Sequence, residues 1–169
     1  MSLLNTYRIN IPSSGEIVQE LKLDYTGEYS PANAEVNLSE SVPLITADCP
    51  NLLQYFPLNS ASDIFFQENM DDRLIEEKTK GKTRCVIICN SFDISDGNGE
   101  RISVSSGSQF SFIAGVCDST EDPFTGVLLN SCTLLSKNSP LTELKPGKQP
   151  FFLKKEEINP WLTGINLSH

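Results

Sequence analysis

The stretch Thr83-Arg84-Cys85-Val86-Ile87-Ile88-Cys89 decides how the rest of the chain reads. Val86, Ile87 and Ile88 are β-branched and apolar on both parities. A strand with one wet face alternates apolar and polar residues; a run apolar on both sides suits a central strand covered on each face. Downstream, Asp96-Gly97-Asn98-Gly99 marks a tight turn. Ile102 and Val104 then alternate with Arg101, Ser103 and Ser105. Phe110 to Val116 and Val127 to Leu135 read as two further strands, with Asp118 to Pro123 as the turn between them. These spacings favour hairpins over βαβ units.

Upstream the signals are shorter. Ile17, Leu21, Leu23 and Tyr25 share one parity, and the other carries Glu20, Lys22, Asp24 and Thr26, which predicts a half-buried antiparallel strand. Leu44-Ile45-Thr46 predicts a short strand. Asp48 is a candidate cap for a one- or two-turn helix through Tyr55, with Pro50 in its first turn. Residues 62–79 form the best helix candidate: Ser62 or Asp63 caps it, Phe66, Met70 and Leu74 fall on one face, and Gly81 ends it. The expected fold is therefore mainly β, an antiparallel β-sandwich or barrel-like domain with one or two short helices and extended terminal arms. The expected parts are an N-terminal arm over 1–15, a β-rich globular domain over 16–150, and a C-terminal tail over 151–169 packed on the body or on a neighbour.

At 169 residues the chain is long enough to bury about 70% of its unfolded surface, so it needs no disulfide or metal to fold. Its one histidine is His169. Histidine is the usual general base and metal ligand near neutral pH, so most hydrolase triads, Cys–His nucleophiles and zinc enzymes are disfavoured. Cys49, Cys85, Cys89, Cys117 and Cys132 contain no CxxC pair. On a strand, Cys85 and Cys89 would share a face roughly 13 Å apart, too far to bridge or to share one metal. Free thiols in a reducing, cytoplasmic compartment are the expectation. There is no basic start followed by an apolar stretch, and no apolar run of membrane-spanning length.

Asp93 to Glu100 resembles a calcium loop in composition. Counting from Asp93 or from Asp96, the sixth and twelfth positions lack the required glycine and glutamate, so a hairpin turn is the better reading. There is no phosphate-binding glycine loop and no nucleophile motif. No catalytic, cofactor or metal residue is assigned.

Charge is segregated. Residues 1–72 hold two basic residues, Arg8 and Lys22, against eleven acidic ones, while 73–169 hold eleven of each. This argues against nucleic acid or an anionic membrane as partner for the first half. Lys78, Lys80, Lys82 and Arg84 sit at period two and would form one basic stripe if extended. The expected function is a non-enzymatic structural or interaction protein, a subunit of a symmetric assembly such as a virion, for example a phage capsid decoration or tail-associated protein. Its partners would be other protein subunits, met through Leu3, Leu4, Tyr7, Ile9 and Trp161 and through the stripe at Lys78, Lys80, Lys82 and Arg84. The alternatives are a cytosolic β-domain that binds a small ligand, or an enzyme using carboxylates or a cysteine.

Overall fold

The computed structural model describes residues 6–25, 35–37, 40–58, 76–77, 79–95, 101–105, 109–137 and 149–165. In chain order these form β1 (Thr6–Asn10), α1 (Ser14–Leu21), β2 (Glu35–Asn37), β3 (Ser41–Thr46), β4 (Gln54–Pro57), β5 (Thr83–Cys89), β6 (Ser91–Ser95) and β7 (Arg101–Val104). There follow β8 (Ser111–Glu121), β9 (Leu128–Leu134), β10 (Ser136–Lys137), β11 (Gln149–Pro150), β12 (Phe152–Leu153) and α2 (Ile158–Leu162). The protein is mainly β with antiparallel strand pairing, as the sequence predicts.

The larger sheet has six strands. β5 lies between β3 and β8, and β4 pairs with the outer side of β3. The far edge of β8 is shared. β12 pairs with Phe112 and Ile113, and β9 takes over from Gly115 to Glu121. The handover falls at Ala114, whose N–H donates to the Phe151 carbonyl at 2.9 Å and whose carbonyl accepts from the Leu135 N–H at 3.0 Å. The sheet curls until β4 and β9 meet, with one parallel bridge between Leu58 and Cys132. A smaller sheet has the order β2-β1-β6-β7. Asn90 is the corner through which the chain passes from β5 in one sheet to β6 in the other. Its N–H donates to the Asn10 carbonyl at 2.6 Å, and its side-chain amide donates to the Gln109 carbonyl at 3.2 Å.

The double-sided apolar pattern of β5 has a direct cause: both faces are covered. Cys85, Ile87 and Cys89 point into an inner core with Leu44, Ile113 and Leu134, closed from the smaller sheet by Ile9 and Phe92. Val86 and Ile88 point the other way, against Ile17 of α1 and Phe151, Ile158 and Trp161 of the C-terminal segment. Trp161 is fully buried and its indole N–H donates to the Cys85 carbonyl at 3.0 Å. Gly115 sits where β5, β8 and β9 pack tightest: a Cβ there would come within 2.8 Å of the Thr133 carbonyl oxygen.

Several local expectations change. Residues 14–21 are helical, not a strand. Ser13 and Glu16 make a capping box, with the Ser13 hydroxyl accepting from the Glu16 N–H at 3.2 Å, and Ile17 lies on the buried side. The helix stops at Lys22, whose φ of 54° is left-handed. The expected helix at 48–55 is a turn followed by β4; Thr46 holds that turn by accepting the Cys49 N–H at 3.1 Å. β8 runs to Glu121, so the hairpin turn lies at 122–127 and not at Asp118 to Pro123. Of the helix expected over 62–79, only Glu76, Glu77 and Thr79 are described, and they are helical. The turns expected at 96–99 and 145–147 lie outside the described residues.

Candidate functional site

Two features stand out on the described surface, and they adjoin. The first is the outer half of the β8–β9 hairpin. β5 accompanies β8 only as far as the Thr83–Cys117 pair. Beyond it, Asp118 to Glu121 pair with Leu128 to Ser131 and, among the described residues, with no other strand. The turn is fixed by its own polar groups. The Asp122 carboxylate accepts the Phe124 N–H at 2.8 Å, the Asp122 carbonyl accepts the Gly126 N–H at 2.8 Å, and Gly126 supplies the left-handed φ of 72°. This hydrogen-bonded tip carries a Phe124 side chain that is 96% exposed. Val127, Leu128 and Leu129 follow, all more than half exposed. Leu128 lies opposite Glu121 and Leu129 opposite Thr120, so successive side chains put apolar surface on both faces of the ribbon.

The second feature is an open cleft of about 390 Å³ at the foot of that hairpin. It exists because the inward row of each of five strands ends in a polar residue, in a stagger set by register, with Gln54 beside Leu44, Thr46 beside Cys85, Thr83 beside Cys117 and Ser119 beside Asn130. On β3 the inward row runs Val42, Leu44, Thr46; on β5 it runs Ile87, Cys85, Thr83; on β8 it runs Ile113, Cys117, Ser119. β9 goes from Leu134 and Cys132 to Asn130, and β4 contributes Phe56 and Gln54. The apolar core thus ends along an oblique boundary, and the cleft that Cys117 lines is mostly polar. The Ser119 hydroxyl donates to the Asn130 amide oxygen, and Asp118 is ion-paired with Lys82 at 3.2 Å. Asp48 and Cys49 complete the rim.

All five cysteines are free thiols. Cys117 and Cys132 face each other across the β8–β9 ladder, with Cys85 beside them in the inner core. Burial pushes the Cys85 thiol well up, reinforced by Cys117 and Cys132, and burial likewise raises Cys132; Cys89 is pushed up to about 12. A thiol held protonated is a poor nucleophile. Among the described residues no group of three or more His, Cys, Asp or Glu side chains is placed to hold a metal ion.

The residues predicted from sequence to make contacts scatter. Ile9 and Trp161 are buried in the chain's own core, so the structure removes them as contacts for a neighbour. The expected N-terminal arm is, over Thr6–Asn10, a strand paired on both sides, and Tyr7 lies within it opposite Ile94. The basic stripe is not one open row. Arg84 turns inward: its guanidinium stacks 4.2 Å over the Trp161 ring and donates to the Trp161 and Ile165 carbonyls at 3.2 and 3.3 Å. Burial draws its pKa down, with Glu76 opposing. Lys82 pairs with Asp118, and Lys80 is exposed. Leu3, Leu4 and Lys78 lie outside the described residues. Asp93 is a buried structural group that accepts from the Asn10 amide at 3.1 Å. The hairpin was readable only as a strand pair, because an apolar residue carries no mark of whether something covers it.

No protein family description matches the chain, and no curated protein sequence does. Solved structures do share its fold. A protein from Bordetella bronchiseptica superposes with a TM-score of 0.62 at 14% identity, over 94% of this chain and 88% of the other. A protein from Bacteroides thetaiotaomicron gives 0.67 at 15% identity, over 96% of this chain and 82% of the other. Both are structural-genomics targets described only as proteins, and the likeness is one of fold. No helix among the described residues is long and apolar enough to cross a membrane.

Proposed function

We propose that this protein is a non-enzymatic assembly subunit whose contact element is the β8–β9 hairpin and whose partner is a second copy of the same chain. The observation that carries the proposal is the hydrogen-bonded tip at 122–127 and the strand start beyond it, with Phe124, Val127, Leu128 and Leu129 exposed. Large exposed apolar patches on soluble proteins mark contact sites or liabilities. A tip ordered by its own hydrogen bonds costs little entropy to dock. Among the described residues no strand pairs with the outer edge of 128–131, and an identical strand would satisfy its donors and acceptors by antiparallel pairing about a two-fold axis. A standard interface takes about 800 Å² from each partner. One aromatic and three aliphatic side chains supply roughly half of that, and the polar ribbon backbone supplies more. A virion subunit is one instance of such an assembly.

Sedimentation equilibrium of the full chain tests this. The expected result is concentration-dependent association that disappears in the double variant Phe124→Ser, Leu128→Asn, with the thermal transition unchanged. A monomer at every concentration, or association undiminished in the variant, would overturn it.

A further inference from the structure

We infer that the cleft at the foot of the hairpin is a binding site for a small, neutral, polyhydroxylated ligand, a mono- or disaccharide. One polar residue facing inward from a β-sheet is a local exception. Here five neighbouring strands each end their inward row in a polar residue, staggered by their register, and together they leave about 390 Å³ open. That lies near the lower end of the roughly 300–1,000 Å³ typical of small-molecule sites, which occur in the mouths of β-barrels among other places.

The lining selects the ligand chemistry. It contains no lysine, arginine or histidine, so an anion would enter without a counter-charge. The Asp118 carboxylate is ion-paired with Lys82 at 3.2 Å. What remains are groups that exchange hydrogen bonds with hydroxyls. The Asp48 carboxylate accepts from them. Among the described residues, the side chains of Gln54 and Thr83 have no hydrogen-bond partner. Asn130 uses its amide oxygen for Ser119, which leaves its NH2 to donate. The half-buried Phe56 ring gives an apolar wall for the C–H face of a sugar. The inference stands on the cleft alone and does not depend on the hairpin's role.

The test is a titration of the isotopically labelled full chain with glucose, galactose, mannose, N-acetylglucosamine and their disaccharides, followed by amide chemical shifts. At least one sugar should move the Thr83, Ser119 and Asn130 amides in a saturable way, with a Kd of about 1 mM or tighter. Gln54→Ala and Asn130→Ala should each weaken it at least tenfold while their spectra stay those of the folded protein. Inorganic phosphate should leave these amides unmoved. The inference is overturned if no sugar shifts them at about 10 mM, if both variants bind undiminished, or if phosphate competes for the same residues.

Discussion

The β8–β9 ladder is one continuous pairing that runs through two environments. From Gly115 to Cys117, opposite Leu134 to Cys132, both faces are covered and the inward side chains are part of the core. From Asp118 to Glu121, opposite Ser131 to Leu128, the same two strands stand clear of β5, and their leucines face water. Pairing is equal in the two halves. The difference is what lies against them, so the two halves should answer mutation differently: the buried half through stability, the projecting half through association.

The contrast is broken most severely where the buried half is sealed. Trp161→Ala removes a fully buried ring, its bond to the Cys85 carbonyl and the surface on which Arg84 stacks. A loss of about 3–5 kcal/mol is expected in urea unfolding, much of a small domain's total stability. Gly115→Val comes next. Its Cβ would meet the Thr133 carbonyl oxygen at 2.8 Å and the Cys85 sulfur at 3.1 Å, and overpacking of this kind costs about 1–3 kcal/mol. If Gly115→Val is neutral, the ladder is looser there than the geometry states.

Alkaline pH probes the same half without a bulky substitution. Burial pushes the Cys89 thiol up to about 12 in the folded chain, against roughly 8.5 when unfolded. The folded state therefore holds its proton longer. Stability is full below about pH 8.5 and falls as pH rises toward 12, by up to about 1.4 kcal/mol per unit for this one thiol. Cys89→Ala should flatten that slope relative to wild type in denaturant titrations between these limits; equal slopes would mean that the thiol is not sealed. The smallest stability effect belongs to the projecting half. Phe124→Ser with Leu128→Asn should change the unfolding free energy by less than about 0.5 kcal/mol while abolishing association. A large stability loss would place these side chains in contacts within the chain.

How much of this was legible follows the same division. The run at 86–88 reads as a central strand and is covered on both faces, whereas the run at 127–129 is as apolar on both parities and is exposed. The helix at 14–21 was misread because Ile17 and Leu21 fit either period; the Ser13–Glu16 capping box was the deciding signal, and it was present in the sequence. The sequence puts the turn of the long hairpin at Asp118 to Pro123, and the structure puts it at 122–127. Asp118 and Ser119 look like turn residues, but they are strand residues at the cleft, polar because the core ends there. Neither the cleft nor the apolar tip could be read along one strand. The cleft depends on register between strands far apart in the chain, such as Thr83 beside Cys117, and the tip on how far the β8–β9 ladder outruns β5.

The handover at Ala114 carries a consequence for synthesis. β8 finds β5 and then β9 as soon as residue 134 has emerged, but Phe151, β12 and Trp161 come later, and they cover the outer face of Val86 and Ile88. At about 5–20 residues per second, a nascent chain spends on the order of seconds as a paired sheet whose greasy side is covered only in part, by Ile17, Leu23 and Leu53. A ribosome-bound chaperone that recognises apolar strands should find its window then, and premature termination before residue 151 should yield a product marked for degradation.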